Sequence, residues 1–121
     1  MTAINLAEKF ASFSDHWSPK IIAALNDYHV KLAKVEGRFP WHAHEETDEL
    51  FLVVQGKLSI DIRGPGGEET IELGEGELYV VPKGVEHAPH AAAECQILVL
   101  EPAGTVNTGD AEGADIGPTT G

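Results

Sequence analysis

The chain has 121 residues, of which 42% are hydrophobic and 23% charged, as is ordinary for one globular domain. It carries 20 acidic and 8 basic side chains, for a formal net charge of -12. An acidic surface repels phosphate backbones and anionic lipid headgroups. We therefore expect neither nucleic acid nor membranes as partners.

The cysteine content and the first residues indicate the compartment. Cys95 is the only cysteine, so the chain cannot form an intramolecular disulfide. Glu8 and Lys9 interrupt the stretch in which a secretion signal would be apolar. No apolar run approaches the roughly 18 residues that a membrane helix needs. We therefore expect a cytoplasmic protein.

Residues 3–13, AINLAEKFASF, have the loose spacing of apolar side chains that is typical of a short amphipathic helix. Ser18-Pro19 then interrupts the pattern. We expect an N-terminal helical segment over residues 1–20.

Strand patterns dominate from residue 21 onward. GPGG at 64–67 predicts a turn, because glycine tolerates positive φ and proline fixes φ at a corner. Many short strands without long intervening helices predict an all-β sandwich or barrel, which we place at residues 21–102. The predicted strands are IIAAL (21–25), YHVKLAKV (28–35), ELFLVV (49–54), KLSIDIR (57–63), TIEL (70–73), ELYVV (77–81) and CQILVL (95–100).

Two predicted strands, ELFLVV (49–54) and CQILVL (95–100), are apolar on both faces. A strand with one face in water would alternate, so something must cover their outer face. A second copy of the protein is the favoured interpretation, and the N-terminal helix is the alternative.

The C-terminal segment, residues 103–121, contains five glycines and few large apolar side chains. Such a composition buries too little surface to offset the entropy of ordering the chain. We expect about the last ten residues to be flexible.

A candidate metal site lies in residues 37–56. His42 and His44 are two apart, which on a strand directs both imidazoles to one face. Glu49 begins the next predicted strand, and a connection at 45–48 would return it beside the histidines. Two imidazoles and a carboxylate at one point suggest a metal site. Taken singly, each histidine is more often a surface or core residue, and Glu49 is more often a solvated carboxylate.

A second stretch, GELYVVPKGVEH at 76–87, adds a further candidate ligand. Pro82 and Gly84 mark a turn after a strand, and His87 follows at the approach to the next strand. A histidine placed across a barrel from the first pair is a candidate fourth ligand.

Together these two stretches resemble the motifs of the cupin superfamily. The first cupin motif is matched by Gly37, His42, His44, Glu49 and Gly56. The second motif is matched by Gly76, Pro82, Gly84 and His87. The resemblance covers about residues 28–101.

The resemblance implies a double-stranded β-helix, or jelly-roll barrel, preceded here by the short N-terminal helix. It implies that His42, His44, Glu49 and His87 hold one divalent metal in the mouth of the barrel. This nitrogen and oxygen donor set suits a transition metal: Zn, Fe, Mn, Ni, Co or Cu. Single-domain cupins also commonly form homodimers, in agreement with the doubly apolar strands.

Four further residues are candidates for lining a small-molecule pocket at the metal. Phe51 is favoured because it shares the face of Glu49 on a regular strand. Trp41 and Tyr79 are equally well explained by core packing, and His90 by a surface loop position.

The resemblance implies a metal-dependent enzyme that is dioxygenase-like or isomerase-like and acts on a small molecule. In a dioxygenase, Glu49 would serve both as a metal ligand and as a proton acceptor. The alternative is a non-catalytic cupin that binds or senses a small molecule.

Overall fold

The structure, a computed structural model, describes residues 2–106 and residue 109. It consists of one short helix followed by seven antiparallel strands, which confirms the predicted all-β class with an N-terminal helix. The elements are α1 (Leu6–Ala11), β1 (Lys20–Leu25), β2 (Tyr28–Arg38), β3 (Glu49–Gln55), β4 (Leu58–Gly64), β5 (Gly67–Leu73), β6 (Leu78–Val81) and β7 (Glu86–Pro102).

The strands form two layers that share β7. The larger layer has the strand order β1-β2-β7-β3-β6, and β4 pairs with both β7 and β5. The first residues of β7 pair with β4, from Arg63↔Glu86 to Ser59↔His90. Its later residues pair with β2 and β3 at once, as in Leu32↔Leu98 and Leu52↔Leu98. One long strand therefore joins the two sheets of the jelly roll.

Strand β7 is much longer than the sequence pattern indicated. The prediction began at Cys95, whereas the strand begins at Glu86. Its first half, EHAPHAAAE, contains a proline and several alanines and lacks the aromatic and β-branched residues that mark strands. Pairing with β4 nevertheless makes this half extended, and a register irregularity opposite Val35 and Gly37 separates it from the second half.

Helix α1 is shorter than the predicted span of 3–13. Asn5 caps its N-terminus by accepting a hydrogen bond from the Glu8 amide at 2.9 Å. The helix contacts β2, and Phe10 is its buried residue. Lys34 on β2 donates to the Phe13 carbonyl at 2.7 Å. The segment after the helix is thereby fixed against the outside of β2.

The inner faces of the strands form one core. Alternating positions of β2, β3 and β7 contribute Ala33, Val35, Phe51, Val53 and Ile97 to it, among others. The outer face is apolar as well, since Leu50 and Leu52 on β3 and Leu98 and Leu100 on β7 are half-buried.

Part of this outer face is exposed. On β6, Leu78 pairs with Leu52 and remains 55% exposed, while Val80 pairs with Leu50 and remains 41% exposed. We define the outer apolar face as Leu50, Leu52, Leu78, Val80, Leu98 and Leu100.

The remaining features of the fold concern Cys95 and the C-terminus. Cys95 is a buried free thiol, and burial raises its pKa to about 11. In the part of the chain that the structure describes, no helix has the length and apolar character needed to span a bilayer. The expected flexibility of about the last ten residues falls on positions outside the described residues.

Candidate metal centre

Four potential metal ligands converge inside the barrel. One donor atom from each of His42, His44, Glu49 and His87 lies within 4.8 Å of all the others. All four side chains are buried, with exposures between 1% and 7%. The fold therefore brings together the two sequence stretches, 37–56 and 76–87, that contain the candidate ligands.

Backbone hydrogen bonds fix the ligands relative to each other. The His42 amide donates to the His87 carbonyl at 3.0 Å, and the His87 amide donates back to His42 at 2.8 Å. The Gly84 amide donates to the His44 carbonyl at 2.9 Å. The positions of three imidazoles are therefore set by main-chain pairing between the 37–56 and 76–87 stretches, independently of any metal.

The ring nitrogens of two histidines are oriented by main-chain carbonyls. Nδ1 of His42 lies 2.9 Å from the Pro40 carbonyl oxygen, and Nδ1 of His87 lies 2.9 Å from that of Val85. A carbonyl only accepts, so each Nδ1 carries the proton and each Nε2 presents a lone pair. This is the arrangement that a metal-binding imidazole uses.

Glu49 lies between two of the rings. Its Oε1 atom is 3.3 Å from His44 Nε2 and 3.3 Å from His87 Nε2. Burial works against ionisation, but close contacts with Glu101, His44 and His87 hold the pKa of Glu49 well below its usual range. The carboxyl group is therefore ionised, as a metal ligand must be.

Burial and the neighbouring His87 lower the pKa of His42 to about 4. The ring is therefore neutral at pH 7. His44 Nε2 makes no hydrogen bond, although it is buried. Burial of a polar atom without a partner costs free energy, so this nitrogen is best explained as a lone-pair donor to a cation. The residues present thus fit a metal ion.

A second carboxyl group lies beside Glu49. Glu101 Oε1 accepts a hydrogen bond from Lys31 Nζ at 2.7 Å, and both side chains are at most 3% exposed. Burial, followed by the adjacent Glu49 carboxylate, raises the pKa of Glu101 to about 9, against the opposing effect of Lys31. The buried pair Glu49 and Glu101 therefore holds one proton at neutral pH.

A narrow cavity adjoins two of the four ligands, His42 and Glu49. It offers about 30 Å³ to water-sized molecules, which is room for about two waters. Its polar wall consists of His42, Glu49 and Glu101. The remaining wall is apolar, and it includes Trp17, Phe39, Phe51, Pro89, Ile97 and Val99.

Of the four predicted pocket residues, Phe51 lines this cavity and the other three lie outside its wall. Tyr79 pairs with Phe51 across β3 and β6 and packs against the core. Trp41 stacks under Arg63, whose Cζ atom is 3.9 Å from the ring centroid. His90 Nε2 lies 3.1 Å from Asp61 Oδ1.

The sequence reasoning missed Lys31 and Glu101. Their signal was the period of two along each strand. Lys31 precedes the inward-facing Ala33 and Val35 on β2, and Glu101 follows the inward-facing Ile97 and Val99 on β7. A charged residue at a position where alternation predicts the interior is a candidate for a functional site.

Comparison with known proteins identifies relatives along most of the chain. The family model described as "Cupin domain" matches residues 28–101. The crystal structure of a cupin-2 domain containing protein from Shewanella frigidimarina is 52% identical, with a TM-score of 0.77 over 82% of this chain and 93% of that one. The uncharacterized protein YdbB of Bacillus subtilis is 38% identical over 99 residues, which are 82% of this chain and 79% of YdbB.

A more distant similarity connects the chain with an enzyme. The 3-hydroxyanthranilate 3,4-dioxygenase of Xenopus laevis is 27% identical over 103 residues, which are 82% of this chain and 36% of the dioxygenase. The chain therefore spans about a third of the length of that relative.

Proposed function

This chain belongs to the cupin domain family, and on that basis we propose that it is a metal-dependent, dioxygenase-like enzyme of a small molecule. The observation that carries the proposal is the convergence within 4.8 Å of one donor atom from each of four buried side chains, two of which, His42 and Glu49, line a cavity. We assign His42, His44, Glu49 and His87 as the ligands of one metal ion.

The donor set limits the identity of the metal. Three neutral imidazoles and a carboxylate suit Zn, Fe, Mn, Ni, Co or Cu, whereas Ca and Mg prefer all-oxygen shells. When bound, such an ion supplies Lewis acidity and coordination positions that four protein ligands leave open.

The protein residues around the site have distinct roles in this proposal. The carbonyls of Pro40 and Val85 keep the Nε2 atoms of His42 and His87 free to coordinate. Phe39, Phe51 and the other apolar side chains restrict water at the cavity. Glu49, which is ionised, accepts a proton from a bound ligand in addition to holding the metal.

The distant relationship to 3-hydroxyanthranilate 3,4-dioxygenase favours oxygen chemistry over the isomerase-like alternative.

A second candidate function is binding or sensing of a small molecule without turnover.

Metal analysis and oxygen consumption separate these functions. The purified protein is analysed for its metal content, reloaded with iron, nickel or copper, and mixed with a panel of phenols and diketones in an oxygen electrode. Substrate-dependent oxygen uptake that disappears in Glu49→Ala supports the dioxygenase. Heat of binding without uptake supports the binding module, and aldose–ketose conversion without uptake supports the isomerase-like alternative.

We further propose that the protein is a homodimer formed through the outer apolar face. Two rows of apolar side chains cross β6, β3 and β7 there, and Leu78 and Val80 are largely exposed. Exposed contiguous apolar surface of this kind is typical of protein interfaces.

We also propose a cytoplasmic protein that binds neither nucleic acid nor membranes. The net charge of -12 supports the second part, since it opposes binding to polyanions and anionic lipid. The buried free thiol of Cys95 agrees with a reducing compartment.

A further inference from the structure

A second and wider cavity includes one of the proposed metal ligands. It offers about 520 Å³ to water-sized molecules, against about 30 Å³ in the narrow cavity beside His42 and Glu49. Residues 43–47 form one wall, which contains His44, and residues 102–106 with Gly109 form the other. Cavities of about 300–1,000 Å³ are typical of small-molecule sites. The wider cavity therefore has the volume for an organic ligand, which the narrow cavity lacks.

The segment that follows β7 lies directly against the stretch that carries the ligands. At Gly109, an added Cβ would lie 2.5 Å from the Ala43 carbonyl oxygen and 3.0 Å from Cδ2 of His42. The Ala103 amide donates to the Asp27 carbonyl at 2.9 Å, which attaches the start of the segment to the turn between β1 and β2. Contacts within the chain thus hold the two walls of the wider cavity together.

His44 connects the wider cavity with the proposed metal centre. It lines the cavity, yet its side chain as a whole is buried, and its Nε2 atom has no hydrogen-bond partner. The same Nε2 atom lies 3.3 Å from Oε1 of Glu49. A molecule in the wider cavity would therefore contact a residue whose ring nitrogen is assigned to the metal.

The charge on the cavity wall is of one sign. Glu45 and Glu46 line the cavity and are exposed, and no lysine or arginine among the described residues lines it. In the sequence, Lys83 is the last lysine or arginine. Acidic side chains at a cleft attract cations and repel anions, and salt screens the effect. The wall therefore distinguishes ligands by charge.

We propose that the ligand of the metal site occupies the wider cavity and carries an ammonium group, which lies beside Glu45 and Glu46. The inference rests on the proposed function, in which the ligand reaches the metal through an open coordination position. It adds a substrate class: small molecules with a cationic amine, in preference to carboxylates. A ligand confined to the narrow cavity would be indifferent to Glu45 and Glu46, since neither residue lines it.

The test uses three catechols of similar size. Dopamine, 4-ethylcatechol and 3,4-dihydroxyphenylacetate present the same two hydroxyl groups to a metal, and their side chains end in an ammonium, a methyl and a carboxylate group. Binding to the Co(II)-loaded full chain is followed by visible absorption without oxygen, and cobalt content is measured before and after. Wild type is expected to bind dopamine about tenfold more tightly than 3,4-dihydroxyphenylacetate at low salt, with 4-ethylcatechol between them.

The variant Glu45→Gln/Glu46→Gln removes both charges from the wall and keeps the size of the side chains. Its preference for dopamine over 3,4-dihydroxyphenylacetate is expected to fall below about threefold. The matched control is Glu68→Gln/Glu69→Gln, which removes two adjacent charges from exposed positions of β5, outside the cavity. This control changes the net charge equally and should keep the wild-type preference.

An unchanged preference in Glu45→Gln/Glu46→Gln would overturn the inference, as would an equal loss in the control. Wild type that holds cobalt but does not prefer dopamine, or binds none of the three catechols, would overturn it as well. Wild-type protein that holds no cobalt would instead refute the proposed metal site. The cobalt measurement thus separates the failure of this inference from the failure of the proposed function.

Discussion

His42 and His44 contribute two of the four proposed metal ligands. We expect His42→Ala/His44→Ala to reduce bound metal from about one ion per chain to below about 0.1, because two remaining ligands hold a divalent ion poorly. Elemental analysis after dialysis measures this loss, and circular dichroism verifies the fold.

The control for that variant is His90→Ala. His90 pairs with Asp61 outside the buried site, so this variant should retain the ion. Stoichiometric metal in the His42→Ala/His44→Ala protein would contradict the site assignment.

The titration of Asp61 should contribute to stability at acid pH. Hydrogen bonds from Arg38 and Thr70, and the neighbouring His90, hold the pKa of Asp61 far below its usual 3.8. A lowered folded-state pKa means that the carboxylate stabilises the fold above pH 3.8 and loses this effect as pH falls.

We therefore expect Asp61→Asn to lower the free energy of unfolding by about 1 kcal/mol at pH 7 and by less at pH 3. Urea denaturation at the two pH values measures both differences. Glu68→Gln, which alters a 65% exposed side chain, should change stability by under about 0.5 kcal/mol at either pH. An equal loss for Asp61→Asn at both pH values would refute the linkage.

At the scale of single elements, the position of Gly56 after β3 requires a glycine. Its φ is +94°, and an added Cβ would lie 3.2 Å from both the Glu94 carbonyl oxygen and the Cys95 Cα. Gly56→Ala is expected to destabilise the protein by about 1–3 kcal/mol, through left-handed strain and contact with the β7 backbone.

Gly66 provides the comparison, because an added Cβ there meets nothing within 4 Å. Gly66→Ala should change the free energy of unfolding by less than about 0.5 kcal/mol. Chemical denaturation measures the free energy of unfolding of both variants. Similar losses of stability for the two would disprove the requirement for glycine at position 56.

The sequence predicted the alternating strands well and the less regular segments poorly. KLSIDIR shows a period of two, and strand β4 forms at Leu58–Gly64. The first half of β7 was missed because its extended form comes from pairing with β4, a contact that is distant along the chain. Helix α1 was predicted too long, because its ends are set by Asn5 and by packing on β2.

The candidate site was predictable to the extent that it depends on spacing. The His42–His44 pair, Glu49 and His87 follow from alternation and from two recurring motifs, and the structure brings them together. Glu101 and Lys31 belong to no such motif, and their proximity to Glu49 follows from the register between β2, β3 and β7. Local pattern does not specify that register.

At the scale of the whole molecule, the outer apolar face determines the expected assembly. We predict that Val80→Glu converts a dimer to a monomer, because it places a charge in the proposed interface. Light scattering coupled to size exclusion measures the mass directly. Val106→Glu is the control, since Val106 is 42% exposed and lies outside the outer apolar face, whereas Val80 is 41% exposed within it. A wild-type monomer at micromolar concentration would refute the proposed dimer.

Strand β7 has a consequence for how this chain tolerates insertions and deletions. It carries His87 near its start and Glu101 near its end, and it pairs with three other strands in between. Loss of one residue between them would leave the histidine in place and turn Ile97, Val99 and Glu101 toward solvent. Length variation should therefore be confined to places such as the turn between β4 and β5. Among the folded members of a library of single-codon deletions, variants that lack a residue of β7 should be rare.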